Sequence, residues 1–335
     1  MFSSLFDPAP NSVYGSFDLA QAVMEMGMDE ASAERQSRPS PDVILRRLHE
    51  IDEEKSRKRV EELNEQILEM LFPSEELTIA IDFTTLPYYG EEDPMLVSDS
   101  RLPGTNLGLK FAVLSVVEKG KTITLKARQV SPFESEVSVL EELLEYAEDL
   151  LNPDLVLLDR GFYSVEAVRE LKSRDIGFII PAKKTNPVRD ICKKYKKGKA
   201  PAETSYTISS VKEEETVRLL ITEKETKNGT ETHPFITNLD TDPDEASENY
   251  SWRWRIETNI RELEKFKPFT TSQSMKLRRL YFLIAMTLYN LWILTRNGSE
   301  RPRAHEFKDW LEIELITHKV LKNDRTKPPP FPTLA

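Results

Sequence analysis

The stretch LTIAIDFT, residues 77–84, alternates apolar side chains with polar or small ones. A period of two is typical of a β-strand that buries one face. Further along the chain, LVLL at 155–158 is a continuous apolar run, which indicates a central strand buried on both faces. Other strands are predicted near 107–117, 122–130 and 178–182, and helices near 134–151 and 164–173. We therefore predict an α/β domain, a mixed sheet with flanking helices.

The segments around this domain have different patterns. Residues 12–72 have helical periodicity, with apolar residues three and four apart at Val60, Leu63 and Ile67. Such an N-terminal helical region could bind DNA ends, or it could be a helical bundle without that role. Three β-rich segments between 201 and 245 predict a β-strand insertion.

Charge is distributed unevenly along the chain. The formal net charge is −11, which is unusual for a protein that binds phosphates. Residues 1–158 carry 31 acidic and 14 basic side chains, whereas residues 159–335 carry 26 and 32. We therefore expect any nucleic-acid surface in the second half, where Lys183 and Lys184 begin a basic segment that ends at Lys199. A solvated charged loop explains that segment equally well.

Two aspartates are predicted to end apolar strands, Asp82 after Ile81 and Asp159 after Leu158. Each alone could be a turn former or a helix cap. If the two strands are neighbours, however, the carboxylates converge, and ionising both is costly unless a cation is present. Ligands that are all oxygen suit Mg²⁺ or Mn²⁺. The pair therefore indicates a divalent-metal site.

A helix predicted to open near Asn249 offers a third carboxylate. A rotation of about 100° per residue places five residues on one narrow face: Tyr250, Arg253, Glu257, Arg261 and Glu264. Such a face could hold metal through the glutamate and phosphate through the arginines. It could also be an ordinary helix surface in which Glu257 and Arg261 form an i, i+4 ion pair.

Three separated motifs read IDFTTLPYYG at 81–90, LDRGF at 158–162 and YSWRWRIE at 250–257. In this order they resemble the motifs of DDE transposases of the IS4 group, and most closely its archaeal ISH3-like branch. The resemblance covers about residues 77–297. It implies an RNase H-like fold with a β-strand insertion between the second aspartate and the glutamate.

The resemblance also implies a catalytic triad that binds two Mg²⁺ or Mn²⁺ ions: Asp82, Asp159 and Glu257. The Tyr-Arg-Glu-Lys signature of the group is matched at its first three positions. Its lysine is expected at position 264, which is Glu264 here, with Lys265 next to it. We predict that seven residues bind DNA: Tyr250, Arg253, Arg261, Lys265, Lys183, Lys184 and Arg160.

The implied activity is metal-dependent cleavage of transposon ends, followed by strand transfer into target DNA. The implied partner is double-stranded DNA, with a homodimer bridging two ends. One alternative is an RNase H-like nuclease that cuts without joining, which a strand-transfer assay would distinguish. Another is a catalytically inactive remnant of a mobile element, which would bind DNA and cut nothing.

We predict five segments: an N-terminal helical region at 1–75, the first part of the catalytic core at 76–200, the insertion at 201–245, the C-terminal helices of the core at 246–300 and a tail at 301–335. The lone Cys192 cannot form a disulfide framework, and residues 1–16 lack the pattern of a secretion signal. The longest apolar stretch, 280–294, is shorter than the roughly 20 residues that span a bilayer. We therefore expect a cytoplasmic, nucleoid-associated protein that does not enter a membrane.

Overall fold

The computed structural model describes residues 2–8, 12–73, 76–118, 120–226, 229–298 and 301–323. The chain forms two compact units, a sheet unit at Leu68–Arg261 and a helical unit made of Met1–Ile67 with Glu262–Ala335. The predicted segment 246–300 is therefore divided between them. Because the two units are defined by packing alone, the functional boundaries stay a prediction.

Ten α-helices and nine β-strands lie within the described residues. The helices are α1 (Ser16–Met28), α2 (Pro41–Glu50), α3 (Glu53–Leu71), α4 (Glu136–Leu150), α5 (Val165–Ser173), α6 (Asn186–Lys196), α7 (Pro243–Ser251), α8 (Trp254–Leu263), α9 (Met275–Thr295) and α10 (Ala304–Asn323). The strands are β1 (Glu76–Tyr88), β2 (Val97–Ser98), β3 (Leu107–Glu118), β4 (Lys121–Gln129), β5 (Asn152–Leu158), β6 (Gly177–Pro181), β7 (Glu203–Ser209), β8 (Glu214–Thr226) and β9 (Gly229–Thr237).

All nine of these strands form one mixed sheet. Their order is β2-β3-β1-β5-β6-β9-β8-β7, with β4 paired to β3. The strands β1, β5 and β6 are parallel to one another, and the other pairs are antiparallel. The predicted mixed sheet is thus confirmed. The three strands of the predicted insertion extend this same sheet, because β9 pairs with β6 at Ile236 and Ile180.

Helices α7 and α8 pack on one face of the sheet centre. Ala80, Leu157 and Ile179 from three neighbouring strands form a buried cluster with Ile256 of α8. Because side chains alternate along a strand, Ala80 and Asp82 face the same side of the sheet. The apolar contacts that bury Ile256 therefore bring α8 to the side on which Asp82 lies.

Two helices were absent from the sequence prediction. Helix α6 lies in the segment for which a charged loop was one of two readings, and it buries Val188 and Cys192, which are four residues apart. This apolar pair is inconspicuous among the surrounding lysines. Helix α10 lies within the predicted tail and buries Phe307 and Leu315. Residues 324–335 of that tail lie outside the described residues.

The helical unit is organised around α9. By length and composition alone α9 could cross a membrane, but most of it is buried inside the protein, as in a core helix. Its Asn290 donates a buried hydrogen bond to Asn64 of α3 at 2.9 Å. Helix α1 approaches closely at Gly27, where an added Cβ would lie 2.6 Å from Leu288 and 2.8 Å from the Phe266 carbonyl oxygen. Whether this unit binds DNA ends stays a prediction.

Candidate active site

Asp82 lies on β1, and Asp159 immediately follows the adjacent parallel strand β5. Ile81 of β1 pairs with Leu158 of β5, so the two aspartates are next in register. Strand β5 ends at Leu158, whereas β1 continues to Tyr88. Asp82 therefore lies inside its strand, not at its end as the sequence suggested. The expected convergence of the two strands is nevertheless present, because β5 stops beside Asp82.

A 3₁₀ turn, Arg160–Phe162, orients Asp159. The Oδ1 atom of Asp159 accepts a hydrogen bond from the Gly161 backbone N–H at 2.6 Å. An added Cβ at Gly161 would lie 2.8 Å from that oxygen and 3.5 Å from both carboxylate oxygens of Glu136. Since so short a contact cannot persist, any side chain at position 161 would displace the Asp159 carboxylate.

Glu136 is a further carboxylate beside this turn, and sequence reasoning missed it. It is the first residue of α4, and its Oε1 lies 4.0 Å from the Nζ of Lys110. The same Nζ lies 3.9 Å from the centre of the Phe83 ring, which stacks on Phe162. Its position at the start of a predicted helix gave only a weak indication of a functional role, because acidic residues are common in the first turn of any helix.

A break between α7 and α8 positions the helix residues. We predicted one continuous helix there, and this is wrong, because α7 ends at Ser251 and α8 begins at Trp254. The backbone N–H groups of 252, 253, 255 and 256 each donate to the carbonyl three residues earlier. This is 3₁₀ geometry, with about three residues per turn. The predicted single face is therefore interrupted, and Arg253 becomes buried.

Arg253 bridges two of the predicted metal ligands. Its Nη1 donates to Asp82 Oδ2 at 2.6 Å, and its Nη2 donates to Glu257 Oε1 at 3.0 Å. The Arg253 side chain is 9% exposed, and within the described residues its buried Nε has no hydrogen-bond partner. Glu257 thus pairs with Arg253 rather than with Arg261, so the ordinary surface ion pair considered above does not form.

The three acids interact electrostatically. Burial raises the pKa of Asp82 to about 6, although the Arg253 guanidinium lowers it. The negative charges of Asp159 and Glu257 raise the pKa of Asp82 further. Burial also raises the pKa of Tyr250 to about 12. A carboxyl group whose pKa lies near neutrality beside other acids is typical of a functional site.

The three predicted metal ligands are all carboxylates, and carboxylate oxygens are ligands that hard divalent cations prefer. Within the described ranges, however, no three His, Cys, Asp or Glu side chains are spaced to hold a metal ion. The guanidinium of Arg253 stands between Asp82 and Glu257 and supplies positive charge there. The chemistry of these side chains therefore suits a divalent cation, but their spacing as placed does not.

Three of the predicted DNA-binding residues lie near the acids in sequence and differ in exposure. Tyr250 is buried, with its ring 5.0 Å from that of Phe235. Arg160 is exposed immediately after Asp159, and Arg261 is exposed near the end of α8. The two exposed arginines are therefore accessible to phosphate, whereas Tyr250 faces the core.

The predicted DNA-binding lysines lie elsewhere in the chain. Lys183 is exposed, with its Nζ 5.9 Å from the Tyr163 ring, and Lys184 is half-buried. Lys265 belongs to the helical unit, where its Nζ pairs with Glu262 at 2.7 Å. The DNA-binding role of these residues stays a prediction.

Comparisons with known proteins agree with this geometry. The sequence model of a family described as "Transposase DDE domain" matches residues 73–291, a range that contains all three predicted acids. A solved structure of the piggyBac transposase synaptic complex with hairpin DNA is similar, at 13% sequence identity and a TM-score of 0.63. The alignment covers 97% of this chain and 76% of the other. At that identity the likeness shows the fold alone, which is RNase H-like. No curated protein sequence matches the chain significantly.

Proposed function

The chain belongs to the family of transposase DDE domains, and we propose on this premise that it cleaves transposon ends and transfers them to target DNA. The motifs at 81–90, 158–162 and 250–257 favour the IS4 group and its ISH3-like branch within that family. A nuclease that cuts without joining shares the same site chemistry, so the joining step is what a test must address.

One observation carries the proposal. Asp82 and Asp159 follow paired residues of two parallel strands, and Arg253 links Asp82 to Glu257 of α8. Three acids that are distant in sequence therefore interact electrostatically beside the end of the central strand β5. A structural role alone gives no reason to bury Asp82 beside other carboxylates, because burial of an ionised group is costly.

Each acid has a distinct part in the proposed reaction. Two divalent ions, when bound, help to activate the attacking oxygen and stabilise the leaving oxygen. Asp82 interacts with both other acids, so we assign it as the central ligand of the set. Asp159 and Glu257 would complete the set of ligands that holds the ions. The Gly161 N–H holds Asp159 in a fixed orientation for that role.

Double-stranded DNA is the proposed substrate. The similar piggyBac structure is a complex with hairpin DNA, which supports DNA as the partner in this chain. Arg160 follows Asp159 directly and Arg261 lies four residues after Glu257; both are exposed cations and would contact backbone phosphates. We propose further that a homodimer bridges two ends and that the protein is cytoplasmic and nucleoid-associated.

The deciding experiment uses labelled DNA fragments from both flanks of the gene, which would carry inverted repeats if the gene is part of a transposon, with Mg²⁺ and a supercoiled target plasmid. We expect cleavage at the repeat end and a joined product whose formation requires Asp82, Asp159 and Glu257. Cleavage without any joined product would favour the nuclease. Mobility shift without cleavage would identify an inactive DNA-binding remnant.

A further inference from the structure

A turn between β4 and α4 presents an aromatic side chain to solvent, because Phe133 is 82% exposed. Single exposed apolar side chains are common on protein surfaces, but this one belongs to a turn with several hydrogen bonds. Glu134 accepts from the Ser131 backbone N–H at 2.6 Å and from Arg128 at 3.0 Å. The Phe133 backbone N–H donates to Ser131 Oγ at 3.2 Å. The ring therefore cannot be buried by a local rearrangement without breaking these bonds.

The turn leads directly into the candidate active site. Glu136, three residues after Phe133, begins α4. Its two carboxylate oxygens would lie 3.5 Å from a Cβ added at Gly161, and Asp159 Oδ1 would lie 2.8 Å from the same point. Lys110 lies next to this group, with its Nζ 4.0 Å from Glu136 Oε1. DNA that reaches Asp159 therefore also comes close to Lys110 and to the turn.

Lys110 carries a positive charge that is held in place but weakly paired. Its Nζ lies 3.9 Å from the centre of the Phe83 ring, which fixes the ammonium group by a cation–π contact. Its distance from Glu136 exceeds that of a hydrogen bond, and 26% of the Lys110 side chain is exposed. Lys126 of β4 also contacts an aromatic ring and a glutamate, but only 8% of its side chain is exposed. A phosphate can therefore reach Lys110 more readily than Lys126.

An aromatic ring beside a cation suits nucleic acid. A lysine ammonium binds backbone phosphates of any sequence, and an aromatic side chain stacks on the face of a base. Within a duplex the faces of each base are covered by its neighbours, so only the base pair at the end of a duplex is open to Phe133. Cleavage of a transposon end creates such a base pair.

We propose that Lys110 and Phe133 form a second DNA-contact surface, in which Lys110 pairs with a backbone phosphate and Phe133 stacks on the terminal base pair that cleavage exposes. This inference rests on the proposed function, because it takes DNA as the substrate. The surface would hold the cleaved end between cleavage and joining. It requires no contribution from Asp82, Glu257 or a bound ion.

The test uses the full chain, a chelator to prevent cleavage, and a short blunt-ended duplex from one flank of the gene. The duplex carries 2-aminopurine at a terminal or an internal position, so that its emission reports stacking while anisotropy measures affinity. The unmodified chain should change the emission of the terminal probe only. Phe133→Ala should lose that change and bind the duplex about tenfold more weakly, whereas Phe133→Trp should retain both.

Lys110→Met keeps the apolar stem of the side chain and removes its charge. It should weaken binding with either probe position and make the dependence of log affinity on log salt less steep by about one. Lys126→Met is the matched control and should leave that slope unchanged. Phe269→Ala removes an exposed ring of the helical unit and should leave the terminal emission unchanged. Because Phe133 is exposed, its variants test the proposal even if Lys110→Met does not fold.

The outcomes separate this surface from the proposed function. If the chain binds DNA but Phe133→Ala keeps the terminal signal, or Lys110→Met keeps the salt slope, the surface is wrong and the proposed function stands. Equal losses in Phe269→Ala or Lys126→Met would also overturn the surface. Weaker self-association of Phe133→Ala in sedimentation, with stacking intact, would identify a protein interface instead. No DNA binding by the unmodified chain would overturn both proposals.

Discussion

The sheet half and the helix half of the candidate active site are held by different interactions. Asp82 and Asp159 are positioned by the backbone hydrogen bonds of two parallel strands. Arg253 and Glu257 are positioned by side-chain contacts beside the break between α7 and α8. The side chain of Asp82 is 10% exposed, whereas that of Glu257 is 44% exposed. The sheet therefore fixes two acids, while the third can adjust.

The largest effect should follow from neutralising the sheet half. Asp82→Asn removes the proposed central ligand, so we expect cleavage of end DNA to fall by at least about a thousandfold, or about 4 kcal/mol of transition-state stabilisation. DNA retention in a mobility-shift assay should stay near normal. Asp154→Asn is the matched control, because Asp154 is an exposed aspartate of the same sheet, on β5. Full cleavage by Asp82→Asn would remove this residue from the site.

The sheet half was predictable because its pattern is local. Alternation at 77–84 and the apolar run at 155–158 identify two strands, and each motif places an aspartate directly after apolar strand residues. That these strands are neighbours was a hypothesis, which the pairing of β1 with β5 confirms. How far β1 continues past Asp82 was not predictable, because Thr84 and Thr85 suit both a strand and a turn.

The helix half was less predictable because side-chain direction depends on backbone details that periodicity does not contain. The sequence placed Arg253 and Glu257 on one face of a continuous helix. Four hydrogen bonds of 3₁₀ type interrupt that helix and turn Arg253 toward Asp82. Ile256 and Leu263 of the same helix are buried, as apolar residues at helical spacing are expected to be. Burial follows from composition, whereas the choice of a polar partner requires coordinates.

A second prediction tests how strongly burial raises the pKa of Asp82 in the sheet half. The folded-state pKa of Asp82, about 6, lies above the ordinary value of about 4 for a carboxyl group. The folded chain therefore binds this proton more tightly than the unfolded chain does. Its contribution to the free energy of unfolding is fully present below about pH 4 and is lost as the pH rises to about 6. The loss should reach about 3 kcal/mol over that window.

Denaturant unfolding at a series of pH values, with a chelator present, measures this contribution. The Asp82→Asn variant should lack the decrease between about pH 4 and about pH 6. Asp154→Asn should retain it, because Asp154 is exposed. If the profiles of the unmodified chain and Asp82→Asn are parallel, burial does not act on this carboxyl group as proposed, and the contrast between the two halves weakens.

A third prediction disturbs the sheet half without removing an acid. In Gly161→Ala the added methyl group would meet Asp159 Oδ1 at 2.8 Å, so the carboxylate must turn away. Loss of a contact that orients a metal ligand typically costs about 10- to 100-fold in activity, and we expect a decrease of that size in end cleavage. Gly298→Ala is the control, since nothing lies within 4 Å of its added Cβ. Unchanged cleavage by Gly161→Ala would show that the orientation of Asp159 does not matter.

The smallest effect concerns how the helix half is attached to the sheet. Asn259 of α8 is buried, and its Nδ2 donates to Thr124 Oγ1 of β4 at 3.2 Å. A double-mutant cycle with Asn259→Ala and Thr124→Val should give a coupling energy of about 1 kcal/mol in the free energy of unfolding. Because this contact lies two residues from Glu257, the single variants should also lower end cleavage slightly. Additive changes in stability would mean that the contact between Asn259 and Thr124 does not help to hold α8 in place. A measurable coupling with unchanged cleavage would instead show that Glu257 tolerates movement of its helix, in keeping with a helix half that adjusts while the sheet half stays fixed.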